Sequence, residues 1–344
     1  MLATREGGAM ERVEAVRILD SVDELLGGAS DVEVLVADDG KSGNLLERVV
    51  VDGQRLVVKH MTLAGDWIMR VTGDRVFWPW LAARAGLFDG LPVCIDHAVV
   101  GMALDGDALT GTLHVVMRDV GELVVPEGDE PVTVEQNRGF LTHMATMHAS
   151  RWGWRDDVGL QPMALRLLPF APATIAPELQ RSDVPGPVVV ADQGWALLPE
   201  RAPRLAELVF DLHADPSPLV DALADTPTTF LHGDWKMGNL GWHPEGRTVL
   251  LDWAYLGEGP ATWDLMWYLA LNRARLPESK EACIETYRHG LEAAGVDTSA
   301  WWDRQLALTT IAMMVCFAWE KAVGDDAELA WWVERVDDAR RCLG

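Results

Sequence analysis

The chain contains few cysteines, tyrosines and phenylalanines for its length. Its 344 residues include 4 Cys, 3 Tyr and 7 Phe, against 16 Trp. The cysteines lie far apart and form no Cys-x-x-Cys pair, so the sequence carries no zinc signature and is typical of a reducing compartment. Because a tryptophan side chain is large and mostly apolar, we expect most of the 16 Trp to belong to a core.

Basic residues are too few to balance the acidic ones. Lys plus Arg number 29 and Asp plus Glu number 53, so the formal net charge is −24 at pH 7. Proteins that bind nucleic acid in general rely on cationic contacts to phosphates, so this balance argues against such a partner and against anionic lipid. It is compatible with a cationic substrate, although plain solubility explains an acidic surface more simply. The 49% of hydrophobic residues excludes wholesale disorder.

The sequence also lacks a long hydrophobic run. A membrane-spanning helix needs ~20 apolar residues. The longest stretch, 306–319, is interrupted by Thr309 and Thr310, which predicts a buried helix instead. Residues 1–16 carry charges early and have no apolar centre, so we expect no secretory signal and a cytoplasmic protein.

The first third of the chain is predicted to be rich in strands. Apolar and β-branched runs indicate strands at 31–36, 45–51, 55–60, 97–102 and 113–117. Asp52-Gly53, between the second and third of these, is typical of a two-residue hairpin turn. A helical pattern follows at 66–84 and is interrupted by Gly73 and Pro79.

The rest of the chain has the pattern of helices. Residues 133–136 resemble a capping box that opens a helix through Ser150, and further helices are predicted at 201–213, 260–272 and across 279–342. Two short strands, 229–231 and 248–251, interrupt them, and 160–200 is rich in Pro and Leu and has no clear pattern. We therefore predict an α+β fold. A small β-rich lobe would span 1–120, with an extra helix in its first ~20 residues as one option. A larger, mostly helical lobe would span 121–344.

The most informative segment is 230–240. It contains His232 and Asp234, then four intervening residues and Asn239, and an apolar strand later ends at Asp252. Phosphoryl transfer needs a carboxylate that orients the attacking hydroxyl and accepts its proton, oxygen ligands for Mg²⁺, and positive charge at the phosphates. Asp234 fits the first role. Asn239 and Asp252 fit the second, because Mg²⁺ prefers carboxylate and amide oxygens.

The positive charge is expected from the first lobe. Lys59 ends the apolar run 56–59, directly after the predicted hairpin. In kinases, a lysine on a strand in this position pairs with the α- and β-phosphates. We therefore expect Lys59 to contact the nucleotide.

The order and spacing of these segments resemble the aminoglycoside phosphotransferase/choline kinase family, over about residues 30–320. That family has the two-lobed protein-kinase-like fold, so the resemblance implies a small-molecule kinase that uses ATP and Mg²⁺. It makes 232–239 the catalytic loop and Asp252 the metal-binding aspartate, with Asp264 as a structural residue. It also implies a nucleotide-binding hinge and a short phosphate loop, whose backbone N–H groups face the phosphates. The hinge residues would be Met117, Asp119 and Val120, and the loop residues Ser42, Gly43 and Asn44.

Three positions depart from the family pattern. The helix of the first lobe normally carries a Glu that pairs with the strand lysine; here Asp74 is the best match and Asp66 the alternative, and Pro79 is expected to distort the helix. Lys236 follows the catalytic aspartate by two residues, so it either stabilises the charge of the transition state or forms an ordinary ion pair. Asp252 is followed by Trp-Ala and not by Phe-Gly, so we assume no flip of this segment.

The predicted function is transfer of a phosphoryl group from ATP or GTP to a hydroxyl of a small molecule. An aminoglycoside, an amino sugar, a choline-like alcohol and a plain sugar all remain open as acceptors. The acceptor is expected in the helical lobe near the following residues: Glu258, Asp264, Asn272, Arg273 and Glu320, with Trp235, Trp267 and Trp319 nearby in sequence.

Two alternatives remain. One is a nucleotide-binding scaffold without catalysis on the same fold. The other is a metal-dependent hydrolase that uses His232, Asp234, His243 and Asp252 as ligands. The hydrolase leaves Lys59 without a role, and in the kinase interpretation His232 only orders the catalytic loop.

Overall fold

The strand-rich part of the chain folds into one large sheet. The computed structural model describes residues 14–35 and 42–342. Its first strands are β1 (Arg17–Leu19), β2 (Ser30–Leu35), β3 (Leu45–Val51), β4 (Gln54–Met61), β5 (Ile95–Asp96), β6 (Val99–Asp105) and β7 (Thr112–Arg118). Six of them form a sheet in the order β1-β6-β7-β4-β3-β2. β1 is parallel to β6, and the other neighbours are antiparallel.

The predicted hairpin between β3 and β4 is confirmed. Asp52 and Gly53 form its turn with positive φ angles of 50° and 80°, as the tight hairpin turns of twisted strands require. On β4, Leu56 and Val58 are buried in a small cluster on one face of the sheet. Because successive side chains of a strand point to opposite faces, Lys59 points to the other face.

The helical pattern at 66–84 forms two helices. Here α1 (Asp23–Leu26) precedes α2 (Trp67–Thr72) and α3 (Trp78–Arg84). Gly73 ends α2 in the left-handed conformation. The expected distortion at Pro79 is wrong, because this proline lies in the first turn of α3, where a helix needs no backbone N–H from it.

The described part of the chain begins with a strand. The described residues before Ser21 contain β1 and no helix, and residues 1–13 lie outside the described part of the chain. Backbone pairing to β6 from Arg17 to Leu19 places this segment in the large sheet. The option of an extra helix in the first ~20 residues stays a prediction.

Helices dominate the remainder, as predicted. They are α4 (Val134–Ser150), α5 (Met163–Leu167), α6 (Pro172–Ile175), α7 (Gly186–Arg201), α8 (Pro203–Ala214), α9 (Ser217–Ala224), α10 (Thr262–Leu271), α11 (Lys280–Ala293), α12 (Trp302–Val323) and α13 (Asp326–Ala339). The capping box is confirmed: the Thr133 hydroxyl accepts from the Gln136 N–H, and the Gln136 side chain accepts from the Thr133 N–H. The unassigned stretch 160–200 contains α5, α6 and most of α7.

Two small sheets position the catalytic segments. Their strands are β8 (Thr228–Leu231), β9 (Leu240–Trp242), β10 (Thr248–Leu250) and β11 (Gly257–Pro260). β10 lies between β5 and β9, and β11 pairs with β8 in antiparallel fashion. The loop after β8 and the loop after β10 therefore meet, and the Leu251 N–H donates to the Asn239 carbonyl (2.9 Å).

Helix α12 lies in the centre of the helical part. It packs against α7, α8, α9, α10 and α13. In the described part of the chain it is one helix that is long and apolar enough to cross a membrane, but 78% of its most apolar window is buried inside the protein. This burial is that of a core helix and agrees with the predicted buried helix at 306–319.

The architecture is α+β with a sheet-containing lobe and a larger helical lobe, which confirms the predicted fold class. The large sheet ends with Arg118, and the long helices begin with Val134. A division at residue 120 stays a prediction.

Candidate active site

The loop that follows β8 is held by a buried carboxylate. Asp264, in the first turn of α10, accepts hydrogen bonds from the N–H groups of His232 (2.9 Å) and Gly233 (2.8 Å). It also contacts His148 Nε2 at 3.1 Å. Burial opposes ionisation of Asp264, but these hydrogen bonds outweigh it and lower its pKa. Asp264 therefore fixes the loop backbone, and its hydrogen bonds are those of a structural residue.

His232 orders the loop through both ring nitrogens. Nε2 lies 2.9 Å from the Leu251 carbonyl oxygen, and Nδ1 accepts from the Asp234 N–H. Burial lowers the pKa of His232, so the ring is neutral. His243 lies in the turn between β9 and β10, where Nδ1 accepts from the Glu245 N–H. No group of three His, Cys, Asp or Glu in the described residues can hold a metal ion, so the ligand set of the hydrolase alternative is not formed.

The carboxylate of Asp234 receives three hydrogen bonds. Oδ1 accepts from Trp267 Nε1 at 2.8 Å. Oδ2 accepts from Asn239 Nδ2 at 2.9 Å and lies 2.8 Å from Lys236 Nζ. Asp234 is buried. Two of its three partners, Asn239 and Lys236, lie in the same loop as Asp234.

Trp267, which lies near the expected acceptor segments in sequence, donates its indole N–H to the candidate base. The signal in the sequence is helical spacing, because Trp267 follows Asp264 by three residues on α10 and residues so spaced share a face. Since Asp264 binds the loop backbone, the same face of α10 also reaches the loop side chain.

The side-chain amide of Asn239 is oriented so that its oxygen could serve as a metal ligand. Its Nδ2 donates to the Asp234 carbonyl (3.0 Å) and to the Asp234 carboxylate. The amide oxygen therefore points the other way. With Asp252 it offers one amide oxygen and one carboxylate, which fits a hard divalent cation that keeps several waters.

Asp252 sits on strained backbone. Its φ is 58°, in the left-handed region that non-glycine residues rarely adopt. Such strain is common at functional sites, where it aims a side chain. Burial opposes ionisation of Asp252, but Lys59 outweighs it and lowers the pKa of this carboxyl.

Lys59 reaches Asp252 from the large sheet. Its Nζ lies 2.8 Å from Asp252 Oδ1, although the two residues are 193 positions apart in sequence. Burial opposes the charge of Lys59, but Asp252 and Asp66 outweigh it and raise its pKa, so the ammonium stays charged. The lysine expected from the first lobe and the aspartate expected to bind the metal therefore lie in contact.

The expected pair between Lys59 and Asp74 is wrong in this structure. The Asp74 carboxylate accepts from the N–H groups of Val76 and Trp78, both at 3.0 Å. The left-handed turn at Gly73 separates Asp74 from α2, and the Asp74 carboxylate lies at the start of α3. Burial raises the pKa of Asp74 to about 6.

The alternative, Asp66, acts electrostatically on Lys59, whose direct partner is Asp252. It is the N-cap of α2, where its side chain accepts from the Met69 N–H at 3.1 Å. Burial raises the pKa of Asp66, and Lys59 opposes this shift.

The predicted phosphate loop is tied to the same carboxylate. Asn44 Nδ2 donates to Ser42 Oγ (2.9 Å) and to Asp66 Oδ2 (2.6 Å). Gly43 has a φ of 82°, and the Trp67 N–H donates to the Ser42 carbonyl at 3.3 Å. Residues 36–41, which precede Ser42, lie outside the described residues. Nucleotide binding by Ser42, Gly43 and Asn44 stays a prediction.

The side chains of the predicted hinge are engaged within the protein. Asp119 accepts from Arg48 Nε (2.8 Å) and from the Gly121 N–H (3.2 Å). Val120 is buried against Val249, and Met117 lies in β7 between two strands. Any contact of Asp119 and Val120 with a nucleotide would therefore have to use the backbone, as the resemblance implies.

Residues expected near the acceptor serve the protein itself in this structure. Asn272 Oδ1 accepts from the Met237 N–H at 2.9 Å and so holds the end of the catalytic loop. Glu258 pairs with Arg155 (2.6 Å), and Glu320 pairs with Lys321 (2.6 Å). Trp235 is fully buried. These contacts stabilise the fold around the loop.

Sequence reasoning missed Arg166 and Tyr255. Arg166, on α5, is buried and donates through Nη1 to the Tyr255 carbonyl. Burial lowers the pKa of Arg166 to about 10, so it remains charged at neutral pH. The Tyr255 carbonyl lies against Gly233. No local pattern marks Arg166, because it acts on a segment 89 residues away.

Comparison with known proteins agrees with this geometry. A model of the phosphotransferase enzyme family matches residues 163–302, which include the catalytic loop and Asp252. No curated protein sequence matches the chain.

Three solved structures are similar to this chain. The choline kinase LicA from Streptococcus pneumoniae is 14% identical, with 94% of this chain and 97% of that chain covered and a TM-score of 0.50. LicA in complex with AMP is 15% identical, with 94% and 96% covered and a TM-score of 0.51. A microcompartment-associated aminopropanol kinase is 15% identical, with 90% of both chains covered and a TM-score of 0.49.

The LicA alignments confirm the two-lobed kinase fold, and the family match confirms the resemblance seen in the sequence. Within residues 163–302 the chain is similar to the phosphotransferase enzyme family.

Proposed function

We propose that this chain transfers the γ-phosphoryl group of ATP, with Mg²⁺, to a hydroxyl group of a small molecule. The observation that carries the proposal is the 2.8 Å ion pair between Lys59 and Asp252, which joins the two lobes. Asp234, Lys236 and Asn239 lie in one hydrogen-bonded group beside it. Lys236 also acts electrostatically on Asp252 and Lys59, which supports a single site.

Asp234 is the proposed general base. The acceptor oxygen forms a bond to the γ-phosphorus while its proton passes to the Asp234 carboxylate. The bond from that phosphorus to the oxygen shared with the β-phosphate breaks, and ADP leaves with the electron pair. Because the transition state needs little covalent help, positioning and electrostatics supply most of the rate.

The remaining residues hold charge in place. Lys59 would pair with the phosphates, and Lys236 would stabilise charge on the transferred group. Asn239 and Asp252 would hold Mg²⁺, which when bound neutralises phosphate charge. Ser42, Gly43 and Asn44 would cover the phosphates, while the hinge backbone at 117–120 would meet the base of ATP or GTP.

The acceptor is proposed to carry an amine. The formal net charge of the chain is −24, which is compatible with a cationic substrate. An amino sugar, an aminoglycoside or a choline-like alcohol fits this charge better than a plain sugar.

We further propose a cytoplasmic location and a division of the chain near residue 120. The second candidate function is a nucleotide-binding scaffold. The direct contact of Lys59 with Asp252 favours the scaffold only if Mg²⁺-ATP cannot separate these two side chains.

The test is release of ADP from Mg²⁺-ATP across a panel of amino sugars, aminoglycosides, choline-like alcohols, hydroxy amino acids and neutral sugars. Wild type and Asp234→Asn are compared, with the affinity for Mg²⁺-ATP measured by calorimetry. We expect acceptor-dependent release that the variant loses by about 100-fold or more in kcat, with nearly unchanged ATP affinity. Activity of the variant within a few fold of wild type would contradict the base assignment. Nucleotide binding without release would favour the scaffold.

A further inference from the structure

The indole of Trp267 is the only neutral donor ring on the Asp234 carboxylate among the described residues. Trp267 Nε1 lies 2.8 Å from Asp234 Oδ1. The other two donors, Asn239 Nδ2 and Lys236 Nζ, both lie on Oδ2. Each oxygen of the carboxylate therefore has a different set of partners.

This division matters for the orientation of the carboxylate. The terminal torsion of an aspartate is broad, so packing alone does not set the plane of its oxygens. Two donors on Oδ2 leave the position of Oδ1 open, because the group can pivot about that oxygen. A third donor on Oδ1 removes the pivot. Each oxygen still has a lone pair that can accept a proton.

The indole itself has little freedom. Trp267 is buried, and its ring centroid lies 4.7 Å from that of Phe317 and 5.7 Å from that of Tyr255. It stands one turn beyond Asp264 on α10, and Asp264 binds the N–H groups at the start of the catalytic loop. One rigid helix therefore holds the loop backbone and the loop carboxylate.

We propose that Trp267 is a positioning residue for the phosphoryl transfer, which sets the direction of the Asp234 carboxylate through the indole N–H. The inference rests on the proposed function of this site. Loss of the N–H leaves the base in place but lets it turn, so the chemical step slows while the binding of Mg²⁺-ATP stays the same.

The matched variants are Trp267→Phe and Trp263→Phe. Trp263 lies on the same helix and is fully buried, with its ring centroid 6.0 Å from that of Trp267. Its Nε1 has no hydrogen-bond partner in the described part of the chain. Both variants remove the same atoms from the same helix, and only Trp267→Phe removes a hydrogen bond to Asp234.

We expect Trp267→Phe to lower kcat by about 10- to 100-fold, the effect of losing one hydrogen bond to a charged group. The KM for ATP should stay within about 3-fold of wild type, and Trp263→Phe should keep kcat within about 3-fold. In the Asp234→Asn background, Trp267→Phe should change the residual rate little, since the two residues act as a unit. Equal kcat values for the two tryptophan variants would overturn the inference.

A measurement without turnover separates the contact from the function. In wild-type protein with ¹⁵N-labelled tryptophan, the Trp267 indole N–H resonance is assigned by its absence in Trp267→Phe. We expect this resonance to exchange slowly and to shift in Asp234→Ala, while the Trp253 indole, which donates to the Leu250 carbonyl at 3.0 Å, keeps its shift. An unchanged Trp267 resonance in Asp234→Ala would refute the contact. If wild type shows the Trp267–Asp234 contact but no acceptor-dependent ADP release, the proposed function is refuted instead.

Discussion

Replacement of Gly233 by alanine tests how closely the catalytic loop approaches its neighbour. Gly233 has a φ of 85°, and a Cβ there would lie 2.1 Å from the Tyr255 carbonyl oxygen. Real Cβ atoms do not approach backbone oxygen so closely, so the loop or the Tyr255 segment must move. The Tyr255 carbonyl also accepts from the buried Arg166, which restricts that movement.

The loss of unfolding free energy expected in Gly233→Ala has two separable parts. Alanine in the left-handed conformation costs roughly 1–2 kcal/mol. Forcing an extra carbon into packed structure adds about 1–3 kcal/mol. Gly246→Ala is the matched control, because Gly246 has a φ of 77° and a Cβ there would meet nothing within 4 Å. The control should therefore show the first cost alone.

The assay is equilibrium unfolding in urea, with the slope of the transition checked for each variant. We expect Gly246→Ala to lose roughly 1–2 kcal/mol of unfolding free energy and Gly233→Ala roughly 2–5 kcal/mol. Folded Gly233→Ala should also lose acceptor-dependent ADP release, because Asp234 moves with the loop. Equal destabilisation of the two variants would refute the argument from close approach.

Two further predictions concern the surroundings of the site. Arg70 on α2 forms two hydrogen bonds of 2.7 Å with the buried Glu178. A double-mutant cycle with Arg70→Met and Glu178→Gln, measured by urea unfolding, should therefore give a coupling energy of about 1–3 kcal/mol. A coupling energy below about 0.5 kcal/mol would contradict a stabilising link. Burial lowers the pKa of His143 from 6.5 to about 4, so between these values the unfolded chain binds a proton that the folded chain does not, and stability falls as the pH falls. Between pH 7 and pH 5 this group should cost about 2 kcal/mol, and His143→Gln should remove that share of the pH dependence; an identical pH dependence in the variant would contradict the assignment.

Local patterns in the sequence determined the elements and most of the site. The β3–β4 hairpin follows from Asp52-Gly53, and the start of α4 follows from the capping box at Thr133. These features are short-range, because a turn or a cap depends on residues within four positions of each other. The spacing of Asp234, Asn239 and Asp252 is likewise contained in one segment.

The limits appear where a side chain's direction depends on distant packing. The sequence favoured Asp74 over Asp66 as the partner of Lys59, whereas Lys59 pairs with Asp252 and Asp74 accepts from backbone N–H groups. A single left-handed residue, Gly73, turns the chain after α2 and directs Asp74 to the N–H groups of Val76 and Trp78. Such a turn changes the direction of everything after it, and residue spacing alone does not reveal the new direction.

Only the tertiary structure decided which groups share the catalytic carboxylate. The sequence placed Asp234 with Lys236 and Asn239, since all three lie in one loop. Trp267 on α10 contacts Asp234 across 33 residues of sequence. Arg166 binds the Tyr255 carbonyl across 89 residues of sequence, and this carbonyl lies against Gly233 of the loop. Contacts of this kind depend on how helices pack on the core, because apolar packing has no directional preference and the alignment of polar groups follows from the final fit.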